Sequence, residues 1–183
     1  MSLIIRWHGD GIAKVMAATE KLAGPQRVKV LNRAINHTGD KVFTLVRRTL
    51  SKQIGAPQRA IEIYGKLHKS RSSWGTLTYT IWCTGGPIPL KHFRAFQVTE
   101  GVSAAPWNRR RPYEHAFIVK SRGGHAFWRE GRGRLPIKRI AGPNVPKEMV
   151  KDATAAAFNT VTNTEMPRRV EHEIKRLTNG VLS

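Results

Sequence analysis

"VKVLNRAINHTGDKVFTLVRRTLSKQIGAP", residues 28–57, decides how this chain folds. Val28, Leu31, Ile35, Thr38, Val42, Leu45 and Thr49 recur at spacings of three and four, the period of one helical face. Pro25 stands near the first turn, where a backbone N–H is not needed, and Gly55 and Pro57 supply a stop. The pattern predicts one amphipathic helix over residues 25–54, about 45 Å long at roughly 1.5 Å per residue. A single apolar face of this kind predicts packing against a sheet in preference to a coiled coil. Gly39, inside the run, costs about 1 kcal/mol relative to Ala and marks the place for a bend.

Toward the N-terminus, "LIIRWHG" (residues 3–9) reads as a strand and turn. Residues 11–23 then place Ile12, Val15, Met16, Thr19 and Leu22 on one helical face. Toward the C-terminus, residues 57–64 predict a short helix, after which the period changes from 3.6 to 2. In "WGTLTYTIWCTGG" (residues 74–86), Leu77, Tyr79, Ile81 and Cys83 alternate with Thr76, Thr78, Thr80 and Trp82, which predicts a strand. "FQVTEGVSAAPW" (residues 96–107) predicts two short strands about Glu100 and Gly101. "HAFIVKSRGGHAFWRE" (residues 115–130) predicts a hairpin turning at Gly123 and Gly124. "GRGR" is a further turn, "LPIKRI" a last strand, and "AGPNVP" (residues 141–146) is expected to leave the sheet. In the tail, Met149, Val150, Ala153, Ala157 and Val161 share a helical face. Pro167 bends that helix or starts a new one, and Val170, Ile174 and Leu177 continue the stripe. The expectation is one α+β domain over residues 1–183: N-terminal helices including one long helix, a central antiparallel β-meander, and a C-terminal helix or helices.

The 183 residues hold 32 Lys or Arg against 12 Asp or Glu, a formal net charge of +20. Such a surplus favours polyanionic partners. It is concentrated in two blocks. Residues 25–72 net +9 and residues 108–142 net +8, while both ends are nearly neutral, unlike the basic disordered arms of many nucleic-acid coats. A single cysteine, Cys83, excludes an internal disulfide and suits a reducing compartment. The sequence shows no signal-peptide pattern and no apolar run of the roughly 18 residues that cross a bilayer, so cytoplasmic synthesis without a membrane partner is the expectation.

Chemistry has little material. The seven histidines show no H-x-x-x-H pair, and one cysteine cannot build a zinc site with partners. Cys83 alternates with Ile81 and Tyr79 on the apolar strand face, which predicts a buried, inert thiol. "GRGR" and "SRGGH" lack phosphate-loop spacing and join strands, so they read as hairpin turns. Glu100, Glu114 and Glu130 stand apart, leaving no carboxylate pair for acid–base work. The expectation is a non-enzyme without cofactor or metal.

The basic stretch remains. Arg109, Arg110 and Arg111 follow Trp107, in what reads as a loop. Lys120, Arg122, Arg129, Arg132 and Arg134 flank or occupy the hairpin, with Trp128 among them. These eight cations are the candidate DNA- or polyanion-facing residues, and Trp107 and Trp128 the candidate interface anchors. Stacking of bases on either Trp is the competing reading. No base-reading motif is present, so phosphate contact would be independent of sequence.

Taken in order, several stretches resemble the minor tail protein Z family, tail completion proteins of lambda-like tailed phages. "VKVLNRAINHTGDKVFTLVRRTLSKQIG" looks like that family's long second helix. "TLTYTIWCTGGPIPLKHF" is similar to its strand and I-P-L-x-x-F turn, and "GVSAAPW" to its next strand. "HAFIVKSRGGHAFWREGRGRLPIKRIAGPNVP" resembles its hairpin, basic turn, L-P-I strand and G-P break. "MPRRVEHEIKRL" is similar to its last helix. The likeness spans about residues 10–178 and rests on fold-keeping residues, with no catalytic residue to carry over. It implies a structural virion protein at the head-proximal end of the tail, made in the host cytoplasm and residing in the virion tail or neck. It further implies a homo-oligomeric ring, about six copies from tail symmetry, around the DNA path at the head–tail junction. Its partners would be the tail terminator or tail tube, the head connector, and the backbone of packaged DNA. The alternative is a free, sequence-independent nucleic-acid-binding protein of the cytoplasm.

Overall fold

The computed structural model of the chain describes residues 2–4 and 24–178. The expected helix over residues 11–23, and the strand reading beyond residue 4, lie outside the described residues. The architecture is α+β: a long helix, small antiparallel sheets, and C-terminal helices.

The long helix α1 runs Gly24–Ile54 without a break, 31 residues or roughly 46 Å. Its bounds match the sequence reading, but its buried face does so only at Thr38 and Val42. Val30, Ala34, Thr38, Val42, Val46, Leu50 and Ile54 are buried, one at every fourth position, while Val28, Leu31, Ile35, Leu45 and Thr49 lie only half-buried beside them. At about 100° per residue, a four-residue repeat turns roughly 40° at each step, so this stripe winds around the helix. The cause is a change of partner along its length. Val30 and Ala34 pack with Met166, Val170 and Ile174. Val42, Val46, Leu50 and Ile54 join the main core with Tyr79, Ile81, Ile88, Leu90 and Phe93.

Gly39 lies within the continuous run of α1. A Cβ there would lie 2.3 Å from Cδ2 of Tyr79, whose ring is fully buried against the helix. The glycine is the space that the tyrosine occupies. The helix ends at Gly55, in the left-handed region at φ +74, with its N–H donating to the Ser51 carbonyl. One short helix, α2 (Gln58–Ala60), follows and runs into a π turn over Ile61–Gly65.

Among the described residues, eleven strands form four small antiparallel sheets, two of them three-stranded meanders. They are β1 (Ser2–Ile4), β2 (Leu67–Ser70) and β3 (Thr80–Cys83), in the order β1-β3-β2; β4 (Pro87–Pro89) with β11 (Ala141–Asn144); β5 (Phe96–Val98), β6 (Gly101–Ala104) and β7 (Arg111–Glu114), in chain order; and β8 (Phe117–Val119), β9 (His125–Arg129) and β10 (Ile137–Arg139), also in chain order. The alternating stretch holds strand pairing only over β3. Tyr79, Ile81 and Cys83 face the core as the alternation predicts, but Leu77 is exposed and residues 71–78 form a loop that closes on itself through Ser73 and Thr76. β11 corrects the reading of "AGPNVP": after the chain leaves β10 it pairs with β4, with a register shift between Ala141 and Asn144. Cys83 is buried. Its thiol donates to the Gly65 carbonyl at 2.6 Å, and burial pushes its pKa up, so the inert reading holds.

Helix α3 (Val145–Met149) leads into α4 (Asp152–Leu177), which runs unbroken through Pro167. Its buried face is Thr154, Phe158, Thr162, Met166, Val170 and Ile174, again every fourth residue, with Glu173 buried beside it; Val170 and Ile174 are as expected, while the first half lies one position off the expected Ala153, Ala157 and Val161. α4 lies antiparallel to α1, since Thr154 meets Gln53, Glu165 meets Lys41, and Glu173 meets Arg33.

Candidate polyanion-facing surface

The chain enters the arginine block through two consecutive left-handed residues, Trp107 (φ +52) and Asn108 (φ +57). Both are held from outside the loop. Asn108 Nδ2 donates to the Lys52 carbonyl at 2.7 Å, satisfying one of the open carbonyls in the last turn of α1. Trp107 Nε1 donates to Oε2 of Glu148 at 3.2 Å, and Gln53 Nε2 donates to the Glu148 carbonyl at 3.1 Å. The polar end of Trp107 is therefore used within the chain, while 39% of the residue stays exposed.

Arg109, Arg110 and Arg111 do not share one environment. The Arg109 side chain is exposed. Arg110 lies 4.8 Å from the Phe96 ring centroid and donates to Ser103 Oγ at 3.2 Å. Arg111 begins β7 instead of lying in a loop. Its guanidinium sits 5.6 Å from the Trp107 ring and 5.1 Å from the Tyr113 ring, and its Nε donates to the Tyr113 hydroxyl at 2.9 Å.

The hairpin repeats the device. Phe117 faces Phe127 across β8 and β9, ring centroids 6.5 Å apart. Arg129 lies 5.3 Å from the Phe117 ring and Arg122 5.9 Å from the Phe127 ring. Arg122, Arg129 and Arg134 line a hollow of roughly 400 Å³ with Phe117, Leu135 and Ile137. Lys120, in the turn over Lys120–Arg122, and Arg132, beyond β9, are exposed. Trp128 points to the other side of β9 from Arg129 and is exposed, opposite Lys138 of β10.

Among the described residues, the block's ion pair joins Lys138 to Glu130 at 3.5 Å, and none of the eight candidate cations has a carboxylate within that reach. Exposed cation–π contacts contribute about 0.5 to 1 kcal/mol each. A ring carries no formal charge to cancel a guanidinium, and the N–H donors that Arg110 and Arg111 do not spend on Ser103 and Tyr113 stay available to an oxyanion.

The first basic block is arranged differently. Lys69 and Arg71 pair with Asp40, Lys41 with Glu165, and Arg47 with Glu62. Arg33, Arg169 and Arg176 gather around Glu173. Burial pushes the Asp40 carboxyl up, but hydrogen bonds from Lys69 and Tyr79 and the nearby Arg71 outweigh it and hold its pKa below the ordinary value. Three imidazoles are held toward the neutral form, in each case by burial first: His37, with Arg169 and Lys41 adding to the effect, and His92 and His125, both with Lys91 adding.

Among the described residues, no group of three or more His, Cys, Asp or Glu stands ready to hold a metal ion, and no helix is long and apolar enough to cross a membrane. No family model, no curated protein and no solved structure matches the chain.

Proposed function

We propose that this chain is a structural, non-catalytic virion protein that completes the head-proximal end of a phage tail. It assembles as a ring around the DNA path, with tail and head-connector proteins as neighbours and its arginine-rich hairpin region facing a polyanion. One observation carries the polyanion-facing part of the reading: Arg110, Arg111, Arg122 and Arg129 are held on aromatic rings and have no carboxylate partner among the described residues. An exposed surface that leaves this charge uncompensated is built for an anionic neighbour. The tail-completion part rests on the ordered resemblance over residues 10–178. The test is deletion from the parent phage. Heads and tail tubes should still form while infectious titre collapses, and the purified protein should form rings by negative-stain imaging and mass photometry with its tail partners. Normal titres would sink the proposal.

The same surface supports a second reading, a free nucleic-acid-binding protein. Tight duplex binding by the isolated monomer at about 150 mM salt, with a steep salt slope, selects it. Binding that appears only on assembly selects the first.

A further inference from the structure

The groove between α1 and α4 holds a second cationic cluster, away from the hairpin. It is open, roughly 910 Å³, and is lined by Arg33, His37, Arg71, Arg169, Glu173 and Arg176 among others. Glu173 is 2% exposed, and Arg169 donates to its Oε1 at 2.5 Å. Arg33 and Arg176 approach Oε2 only to 4.0 and 3.9 Å, beyond hydrogen-bond reach, and neither donates to any other described residue. Three guanidiniums thus converge on one carboxylate that engages a single one of them. The Nε of Arg169 is buried and also has no partner. His37 opens on the same groove, and its pKa is lowered first by burial and then by Arg169 and Lys41, with Glu173 and Glu165 opposing.

We infer that Arg33, Arg169 and Arg176 form a binding site for a phosphate group, oriented by Glu173. Three cations against one carboxylate leave two positive charges. A phosphate brings about 1.5 to 2 negative charges and three acceptor oxygens, which match that surplus and the free guanidinium edges. A carboxylate ligand would leave part of both unmatched. Arg71, held to Asp40 at 3.0 Å on the groove wall, adds charge without being required for the contact.

Isothermal titration of the full chain with inorganic phosphate, at constant ionic strength, tests the site. Saturable binding is expected, with acetate at least about tenfold weaker. The double variant Arg33→Gln/Arg176→Gln should lose about tenfold or more in phosphate affinity, whereas Arg59→Gln, exposed on α2 and outside the groove, should keep it. If the double variant fails to fold, Arg33→Lys and Arg176→Lys singly keep the charge, lose the fork, and should each weaken binding several-fold. Absence of saturable heat, equal binding of acetate, or affinity indifferent to these groove variants overturns the inference. A backbone phosphodiester carries a single negative charge, so a short duplex without terminal phosphates should compete more weakly than a 5′-phosphorylated strand, and equal competition overturns the charge match. Competition only by a 5′-phosphorylated strand assigns it to a phosphate monoester.

Discussion

Two basic regions of similar charge are built by different physics. Along α1 and α4 several cations find carboxylates: Asp40, Glu62, Glu165 and Glu173 each hold at least one Lys or Arg. In residues 108–142 the cations find aromatic faces, and Glu130 alone forms an ion pair among the described residues. A carboxylate cancels charge, whereas a ring holds the side chain in place and leaves its charge expressed. Of the 11 Lys or Arg in residues 25–72 five have a carboxylate partner among the described residues, and of the ten in residues 108–142 one has, so the hairpin region leaves more of its charge uncompensated.

The largest expected effect comes from breaking the neutralising hub on α1. Gly39→Ala would gain up to about 1 kcal/mol of helix propensity. Its Cβ, however, collides with the Tyr79 ring, whose hydroxyl donates to Asp40 at 2.9 Å. Overpacking should prevail, with a net loss of about 3 kcal/mol in urea unfolding and release of Lys69 and Arg71 from Asp40. A stabilised variant would show that the ring yields easily and that the hub is not anchored there.

Next comes Glu173→Gln, which removes the buried charge that gathers three arginines. A loss of about 2 kcal/mol is expected in the same measurement. No loss would mean that the helix pair gains nothing from internal neutralisation, and the contrast between the regions would fail.

Arg109→Gln/Arg110→Gln/Arg111→Gln should cost only about 1 kcal/mol. Sequence alone predicts less, as for any exposed change, but Arg110 and Arg111 carry ring contacts that glutamine does not replace. The main effect should be reduced DNA retention in assembled particles or reduced docking to a neighbouring ring. An infectious, fully assembled variant would mark the block as a solvated face.

The smallest effect is in pH. Folding holds His37, His92 and His125 below their ordinary pKa, so on acidification from pH 7 to 5 the unfolded chain takes up protons that the folded chain refuses. The melting temperature should fall modestly over that range. His125→Gln and His37→Gln, compared by thermal denaturation, should each flatten part of the slope and show which region contributes more.

Much of the fold was legible because it is local. The bounds of α1, the β5–β6 and β8–β9–β10 pairings, and burial of Cys83 follow from period, turns and alternation over a few residues. Its failures have physical causes. The buried faces of α1 and α4 are legible only in part: Thr38, Val42, Val170 and Ile174 are buried as the stripes predict, but a single straight stripe assumes one partner, and both helices wind their contacts from one neighbour to another. β2 (Leu67–Ser70), an edge strand with three exposed residues, and β7, which carries Arg111, Pro112 and Glu114, have no apolar alternation to find. The eight candidate cations were visible as density, but their aromatic supports, Phe96 beneath Arg110 for one, depend on sheet register. Invisible as well was the neutralisation of the first block, since Asp40 and Lys69 are 29 positions apart and Lys41 and Glu165 are 124.

The bond from Asn108 to the Lys52 carbonyl has a mechanical meaning. It fastens the arginine loop to the end of a rod 31 residues long, and Glu148, shared by Trp107 and Gln53, ties the same loop to α3. Gln53 in turn receives the N–H and hydroxyl of Thr154 at the start of α4. A load applied at Arg109, Arg110 or Arg111 therefore meets anchors at the ends of two antiparallel helices. The loop thus acts as a fixed fitting on a stiff beam, able to transmit force from whatever it grips without first being pulled straight.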